Sequence, residues 1–276
     1  MTAFLEEMAA GSRERVRMAK LACPQATLES QARNVRAPSR LQLDVSGFDL
    51  IAELKLRSPS AGPLSLYGEN LERRALAYAS AGAAAVSVLT EPSRFDGSLL
   101  HLKSAASALA PLAVPAMRKD FLVDPYQVLE ARVAGAGGVL VILRLLPRAD
   151  LTALLDCARD LGLFVLLEAF DANDIALMQE LIAGHRGSNQ LLAGVNCRDL
   201  ATLEVVPERL TDLAPLLPTS VPRVAESGVM SVAEAGRVAA AGYDLALVGS
   251  ALMQGKDPTA LAGALLAAGR AARKVG

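Results

Sequence analysis

The sequence predicts an α/β fold, a (β/α)8 TIM barrel with an N-terminal helical extension, and three observations carry that prediction. Eight short apolar runs alternate with longer Ala- and Leu-rich segments of helical period. No Gly-x-Gly-x-x-Gly follows the first run, where a dinucleotide-binding doubly wound sheet would place it. Polar residues stand at the C-terminal end of nearly every run rather than at one switch point. A barrel gathers its active-site groups from many strands in this way.

Residues 3–21 read as one amphipathic, charge-rich helix, and residues 23–47, with Pro24, Pro38 and Gly47, read as irregular. Together, residues 1–47 form an extension expected to pack on the barrel or cap its mouth, and residues 48–276 form the barrel itself. Strands are expected at 49–55, 85–89, 114–118, 139–143, 164–168, 192–196, 223–226 and 245–248. Helices between them include 69–80, 124–134, 148–161 and 231–240. Gly82, Gly135, Gly162 and Gly242 each fall just before a strand, the usual place for a glycine helix stop.

The bulk properties exclude several functions. A formal net charge of −1 without a block of like charge gives nucleic acid or an anionic membrane no footing. The longest apolar stretches, such as residues 162–167, fall well short of the ~20 residues needed to span a bilayer. The first residues lack the basic region of a signal peptide, and Glu6 and Glu7 interrupt their apolar run. Cys23, Cys157 and Cys197 have no CxxC spacing, so reduced thiols in a cytoplasmic protein are expected, with no metal site. His101, in a helical segment, and His185, in a Gly-rich turn, are read as structural.

Five constellations remain. Side chains alternate along a strand, so Ile51, Glu53 and Lys55 share a face, with Arg57-Ser58-Pro59-Ser60 following. A Glu and a Lys buried together cost several kcal/mol per ion before pairing offsets it, which at a barrel mouth points to function. Met117 and Lys119 of Met-Arg-Lys-Asp-Phe121 likewise point inward. Glu168 closes the fifth run, where burial and nearby lysines would govern its proton affinity. In Gly194-Val-Asn-Cys-Arg-Asp-Leu200, Asn196 and Arg198 share a face and Cys197 turns away. Finally, Glu226-Ser227-Gly228 and Gly249-Ser250 follow the last two strands, the pair of loops from which barrels commonly build a phosphate site. The set suits general acid–base chemistry on a phosphorylated, anionic, sugar-like small molecule.

The segments IAELKLRSPSAG, SVLTEPSRFDGS, RKDFLVDPYQVLEAR, GVNCRDLATL, AESGV and VGSALM, spread over residues 51–253, resemble those of the indole-3-glycerol-phosphate synthase family. The resemblance implies ring closure of 1-(2-carboxyphenylamino)-1-deoxyribulose 5-phosphate with loss of carbon dioxide and water, without cofactor or metal. It implies Lys119 as the general acid toward the ribulose carbonyl and Lys55 as the holder of the substrate carboxylate. Glu168 would stabilise the cationic intermediate and assist dehydration, and Glu53 would orient the lysines. Asn196, Ser227, Arg198, Ser58 and Glu226 would position the substrate, and Ser227, Gly228, Gly249 and Ser250 would grip its phosphate. Pro59, Phe95, Phe121, Leu200 and Leu203 would line the slot for the aromatic ring. The chain departs from the pattern at Phe170, where a histidine is familiar, at Gly138, where an Asp is frequent, and at Cys197. It also departs in the weak match of residues 37–47.

Two other readings stand beside this one. A phosphoribosylanthranilate isomerase-like barrel would use a Cys and an Asp, whereas the first strand here ends in Glu and Lys. A non-catalytic barrel binding a phosphorylated metabolite should have lost a charged mouth residue, and none is missing. The Ala-rich outer helices fit a monomer or a weak homodimer.

Overall fold

The computed structural model describes residues 2–45, 47–59, 62–64, 70–185 and 190–273. Ser60, the first residue of the helix expected at 69–80, and residues 186–189 lie outside them. Eight parallel strands close a barrel in chain order: β1 (Asp49–Leu54), β2 (Ala85–Leu89), β3 (Ala116–Lys119), β4 (Gly138–Ile142), β5 (Phe164–Ala169), β6 (Leu191–Asn196), β7 (Arg223–Glu226) and β8 (Leu245–Val248), with β8 pairing back onto β1. The expected strands are all present, three with the expected bounds and the others with ends displaced by at most two residues; Lys55 falls just beyond β1, and Lys119 ends β3. Six-residue strands such as β1, β5 and β6 are buried along their whole length. Apart from Asp49, Glu53, Glu168 and Asn196 they are apolar, because they meet side chains inside the barrel and helices outside it.

After the N-terminal helices α1 (Ala3–Ala22) and α2 (Gln25–Asn34), the outer layer comprises α3 (Leu71–Ser80), α4 (Leu99–Leu109), α5 (Pro125–Val133), α6 (Arg148–Asp160), α7 (Ala172–Gly184), α8 (Glu208–Leu213), α9 (Val232–Ala240), α10 (Ser250–Gln254) and α11 (Pro258–Arg273). Several start on side-chain caps: Asn70 on Arg73 N, Asp124 on Tyr126 N, Asp171 on Asn173 N and Ser231 on Glu234 N. Gly82, Gly135, Gly162 and Gly242 all take positive φ where α3, α5, α6 and α9 hand over to the next strand.

The structure corrects one expectation. Residues 23–47 are not irregular throughout, because Gln25–Asn34 is helical with Pro24 at its N-cap. A proline at a helix start sacrifices no hydrogen bond. Leu28 and Ala32 of α2 share a face one turn apart and bury against Tyr126 and Leu129 of α5 and Val16 of α1. Below the barrel, Arg270 of α11 donates to Phe48 O and Asp49 Oδ1, which ties the chain's last helix to the start of β1.

Candidate active site

Every candidate site residue described above lines one cavity of about 270 Å³ at the C-terminal mouth of the barrel. Parallel registry explains the convergence. Glu53 lies level with Ser87, Lys119 with Leu89, Glu168 with Gly194, and Asn196 with Glu226, so side chains from five strands meet at one height. Closest-packed of these is Glu53, whose Oε1 accepts from Lys55 Nζ at 2.6 Å. Burial opposes its ionisation, but the Lys55 and Lys119 charges outweigh that and hold its carboxyl below the usual range. Gly249 leaves room for this carboxylate, since a Cβ there would collide with Glu53 Oε1.

Lys119 Nζ lies 3.3 Å from both Glu168 Oε2 and Glu226 Oε2. Burial alone would lower its proton affinity; the charges of Glu168, Glu226 and Glu53 together raise it above that of an ordinary lysine. Asn196 Nδ2 donates to Glu168 Oε1 at 2.7 Å, while Asn196 Oδ1 accepts from Arg198 N at 2.9 Å. Glu226 is the most perturbed carboxyl. Burial, then the negative charge of Glu168, pushes it up to about 8, against the pull of Lys119. Its Oε1 has no hydrogen-bond partner among the described residues.

The cavity lining has two unlike parts. Ser227 and Gly228 both take left-handed backbone, φ 66° and 72°, and turn the chain beside Gly249 and Ser250. A serine there is strained, as residues at functional turns commonly are. Pro59, Phe95, Phe121, Leu140, Leu200 and Leu203 supply an apolar slot in the same lining, with the Phe95 and Phe121 ring centroids 6.2 Å apart. The sequence reading missed two walls of that slot, Leu140 of β4 and Phe4 of α1, whose ring meets Phe121 edge-on with centroids 5.9 Å apart. An aromatic in an amphipathic helix carries no signal for a cavity whose other lining residues run from Glu53 to Ser250.

The departures stand clear of the chemistry. Phe170 is buried outside the cavity beneath the Arg144 guanidinium, 4.7 Å from ring centroid to Cζ. Gly138 is a packing requirement, since a Cβ there would run into the Phe164 ring. Cys197 is buried and faces away from the cavity, and burial pushes its thiol up to about 11, far from a reactive thiolate. His185, its Nδ1 2.8 Å from Leu181 O, and His101 of α4 do not line the cavity. Among the described residues, no helix is long and apolar enough to cross a membrane.

Lysines interleaved with buried carboxylates at a barrel mouth, facing two Gly-Ser turns, mark an acid–base barrel enzyme. Comparison with known proteins narrows the class. A family described as indole-3-glycerol phosphate synthase matches residues 5–265. The indole-3-glycerol phosphate synthase of Parafrankia sp. (strain EAN1pec) is 40% identical over 267 residues, covering 96% of each chain. That of Kineococcus radiotolerans is 43% identical over 225 residues, 81% of this chain and 77% of that protein. The chain belongs to the indole-3-glycerol phosphate synthase family, carboxy-lyases of tryptophan biosynthesis. More distant solved structures share the fold alone. One is 3-hexulose-6-phosphate synthase from Salmonella typhimurium, with TM-score 0.61, 15% identity and coverage of 80% of this chain and 97% of that one. Another is thiamine phosphate pyrophosphorylase from Pyrococcus furiosus, with TM-score 0.59, 15% identity and coverage of 83% and 99%.

Proposed function

We propose that the cavity converts 1-(2-carboxyphenylamino)-1-deoxyribulose 5-phosphate into indole-3-glycerol phosphate, carbon dioxide and water, with Lys119, Lys55, Glu168 and Glu53 as its acid–base set. The observation that carries the reading is Lys119, an ammonium held by two carboxylates in one cavity with an apolar slot and a pair of Gly-Ser turns. The substrate has the matching polarity, with an aryl ring at one end, a phosphate at the other and a ketone between them.

In this reading the aryl ring enters the slot formed by Phe95, Phe121, Pro59, Leu200 and Leu203, with Ser58 at its edge. The phosphate lies at Ser227, Gly228, Gly249 and Ser250. Lys55 and Arg198 hold the ring carboxylate, and Asn196 and Glu226 take the sugar hydroxyls. The ring carbon bearing the carboxylate attacks the ketone carbon while Lys119 delivers a proton to the ketone oxygen. The carboxylate then leaves as carbon dioxide, and its bonding electrons discharge the cationic ring. Dehydration follows, as the new hydroxyl departs as water with a proton from the acid set and a proton is lost from the neighbouring carbon. Glu168 faces the cation and serves that step, and Glu53 keeps Lys55 placed. Free thiols at Cys23, Cys157 and Cys197 suit a reducing compartment for this chemistry.

The test is indole fluorescence after mixing protein and substrate without added metal. Wild type should give a rising signal, and Lys119→Ala should cut kcat by about 10²–10⁴-fold, the usual weight of a positioned proton donor. No rise from folded, substrate-saturated wild type would sink the assignment. Retained binding in that case would favour a non-catalytic barrel.

A further inference from the structure

The strand end that carries Lys119 is anchored on its outer side by a buried ion network, and the N-terminal helix contributes one member of it. Asp120 accepts from Thr90 Oγ1 at 2.7 Å, Arg118 Nη2 at 3.0 Å, Arg15 Nη2 at 2.9 Å and Phe121 N at 2.8 Å. Thr90 N donates in turn to Lys119 O at 3.0 Å, so the same network fixes the lysine's own backbone. The other arm of the Arg15 guanidinium reaches Glu91 Oε1 at 3.5 Å. Glu91 follows β2 and Asp120 follows β3, so one cation on α1 joins two neighbouring strand ends.

The charge inventory shows why that cation matters. Asp120 and Glu91 have fully buried side chains, and Glu130 is largely buried beside Arg118. Arg118 and Arg15 are the cations paired with these three carboxylates. Without Arg15, Arg118 is left to hold Asp120 and Glu130, and Glu91 keeps Ser93 and the Arg94 backbone N–H but loses its paired guanidinium. A buried carboxylate that loses its partner must take up a proton or move toward water. Either response at Asp120 loosens its hold on Thr90, whose N–H donates to the Lys119 carbonyl. Lys119 tolerates little movement, because its ammonium already stands 3.3 Å from both Glu168 and Glu226.

We propose that Arg15 is a positioning residue for Lys119: by bridging Asp120 and Glu91 it fixes the ends of β2 and β3 and so holds the ammonium between Glu168 and Glu226. A second contact shows that α1 is docked for this task. Ser12 Oγ donates to Phe121 O at 2.5 Å and accepts from Gln127 Nε2 at 2.8 Å, which sets Arg15, one turn further on, over the two carboxylates. The inference rests on Lys119 being the proton donor of the reaction above.

Steady-state turnover of wild type, Arg15→Ala, Arg15→Lys and Lys20→Ala tests it, with folding followed by circular dichroism. Lys20 also ties α1 to the barrel, through Asp124 Oδ2 at 2.7 Å, but touches neither strand end. Arg15→Ala is expected to lower kcat about tenfold, since a displacement of roughly 1 Å can cost up to about a hundredfold. KM should stay within about twofold. The alkaline limb of kcat should move to lower pH as Lys119 loses carboxylate contact. Arg15→Lys can reach one of the two carboxylates and should recover part of the rate, and Lys20→Ala should match wild type. Arg15→Gln, expected to fall between the Lys and Ala variants, serves if Arg15→Ala does not fold. Wild-type kcat and pH profile in a folded Arg15→Ala would overturn the proposal. So would an equal loss in Lys20→Ala, which would reduce Arg15 to helix docking. The ε-carbon NMR signal of Lys119, assigned by its loss in Lys119→Arg, asks the same question without turnover. Deprotonation at lower pH in Arg15→Ala supports the positioning role even if wild type proves inactive, whereas inactivity alone removes the synthase reading.

Discussion

Two carboxylates share one ammonium at the centre of the mouth, and their environments push them toward different roles. Glu226 is pushed up to about 8 by burial and then by Glu168, so near neutral pH it is largely protonated. Glu53 and Glu168 remain as the carboxylate partners of Lys55 and Lys119. The unfolded chain releases the Glu226 proton in the ordinary carboxylate range, while the folded protein keeps it to about 8. Folding stability therefore falls as pH rises through that window, on the order of a few kcal/mol in all. Glu226→Gln removes the titration. Measured by urea unfolding, its stability relative to wild type should rise steadily between about pH 4.5 and about pH 8 and level off above that; a difference that stays constant with pH would rule the shift out. Residue types at this scale were legible, since charged side chains two apart at strand ends declare an inward face. Their pairing was not. Gly249 was read as a phosphate contact, and its second duty, making room for Glu53, arises only from the pairing of β1 with β8.

At the scale of elements, the N-terminal pair α1 and α2 is where reading the sequence and reading the structure diverge. The amphipathic pattern of residues 3–21 was clear, but a pattern names a buried face and not the surface that covers it. In the fold α1 runs beside the mouth, closing the apolar slot with Phe4 and meeting the loop after β3 through Ser12 and Arg15. The shorter α2 was hidden because Pro24 reads as a breaker and its buried face is only Leu28 and Ala32. Phe4 should contribute binding to substrate and transition state alike, because the aryl ring's own position changes little as the new bond forms. Phe4→Ala is therefore expected to raise KM about 3- to 10-fold, the worth of one aromatic contact, with kcat within about twofold. Substrate titration of the variant checks it. A fall in kcat at unchanged KM would place Phe4 in the proton-transfer step instead.

For the whole molecule, barrel closure turns eight local signals into one site. Each strand's apolar run and polar end could be read separately, and parallel pairing in chain order brings all eight ends to one rim. What no run contains is the distance across the barrel, so the sequence named Lys119, Glu168 and Glu226 without showing that they touch. The same closure makes stability answer to ligand, because the Ser227–Gly228 turn after β7 and Gly249–Ser250 after β8 form one corner only in the folded state. Anything held there raises the unfolding free energy by mass action, about 2.7 kcal/mol at a hundred times its dissociation constant. For a chain of this size that corresponds to roughly 5–10 °C in Tm. Indole-3-glycerol phosphate should give such a rise at saturation, and inorganic phosphate a smaller one at far higher concentration. Ser250→Asp places a negative charge in the corner while leaving the barrel wall intact. Its unliganded Tm should lie within a few degrees of wild type, and both ligand-induced rises should disappear. A full rise with the product in Ser250→Asp would move the phosphate to another part of the mouth.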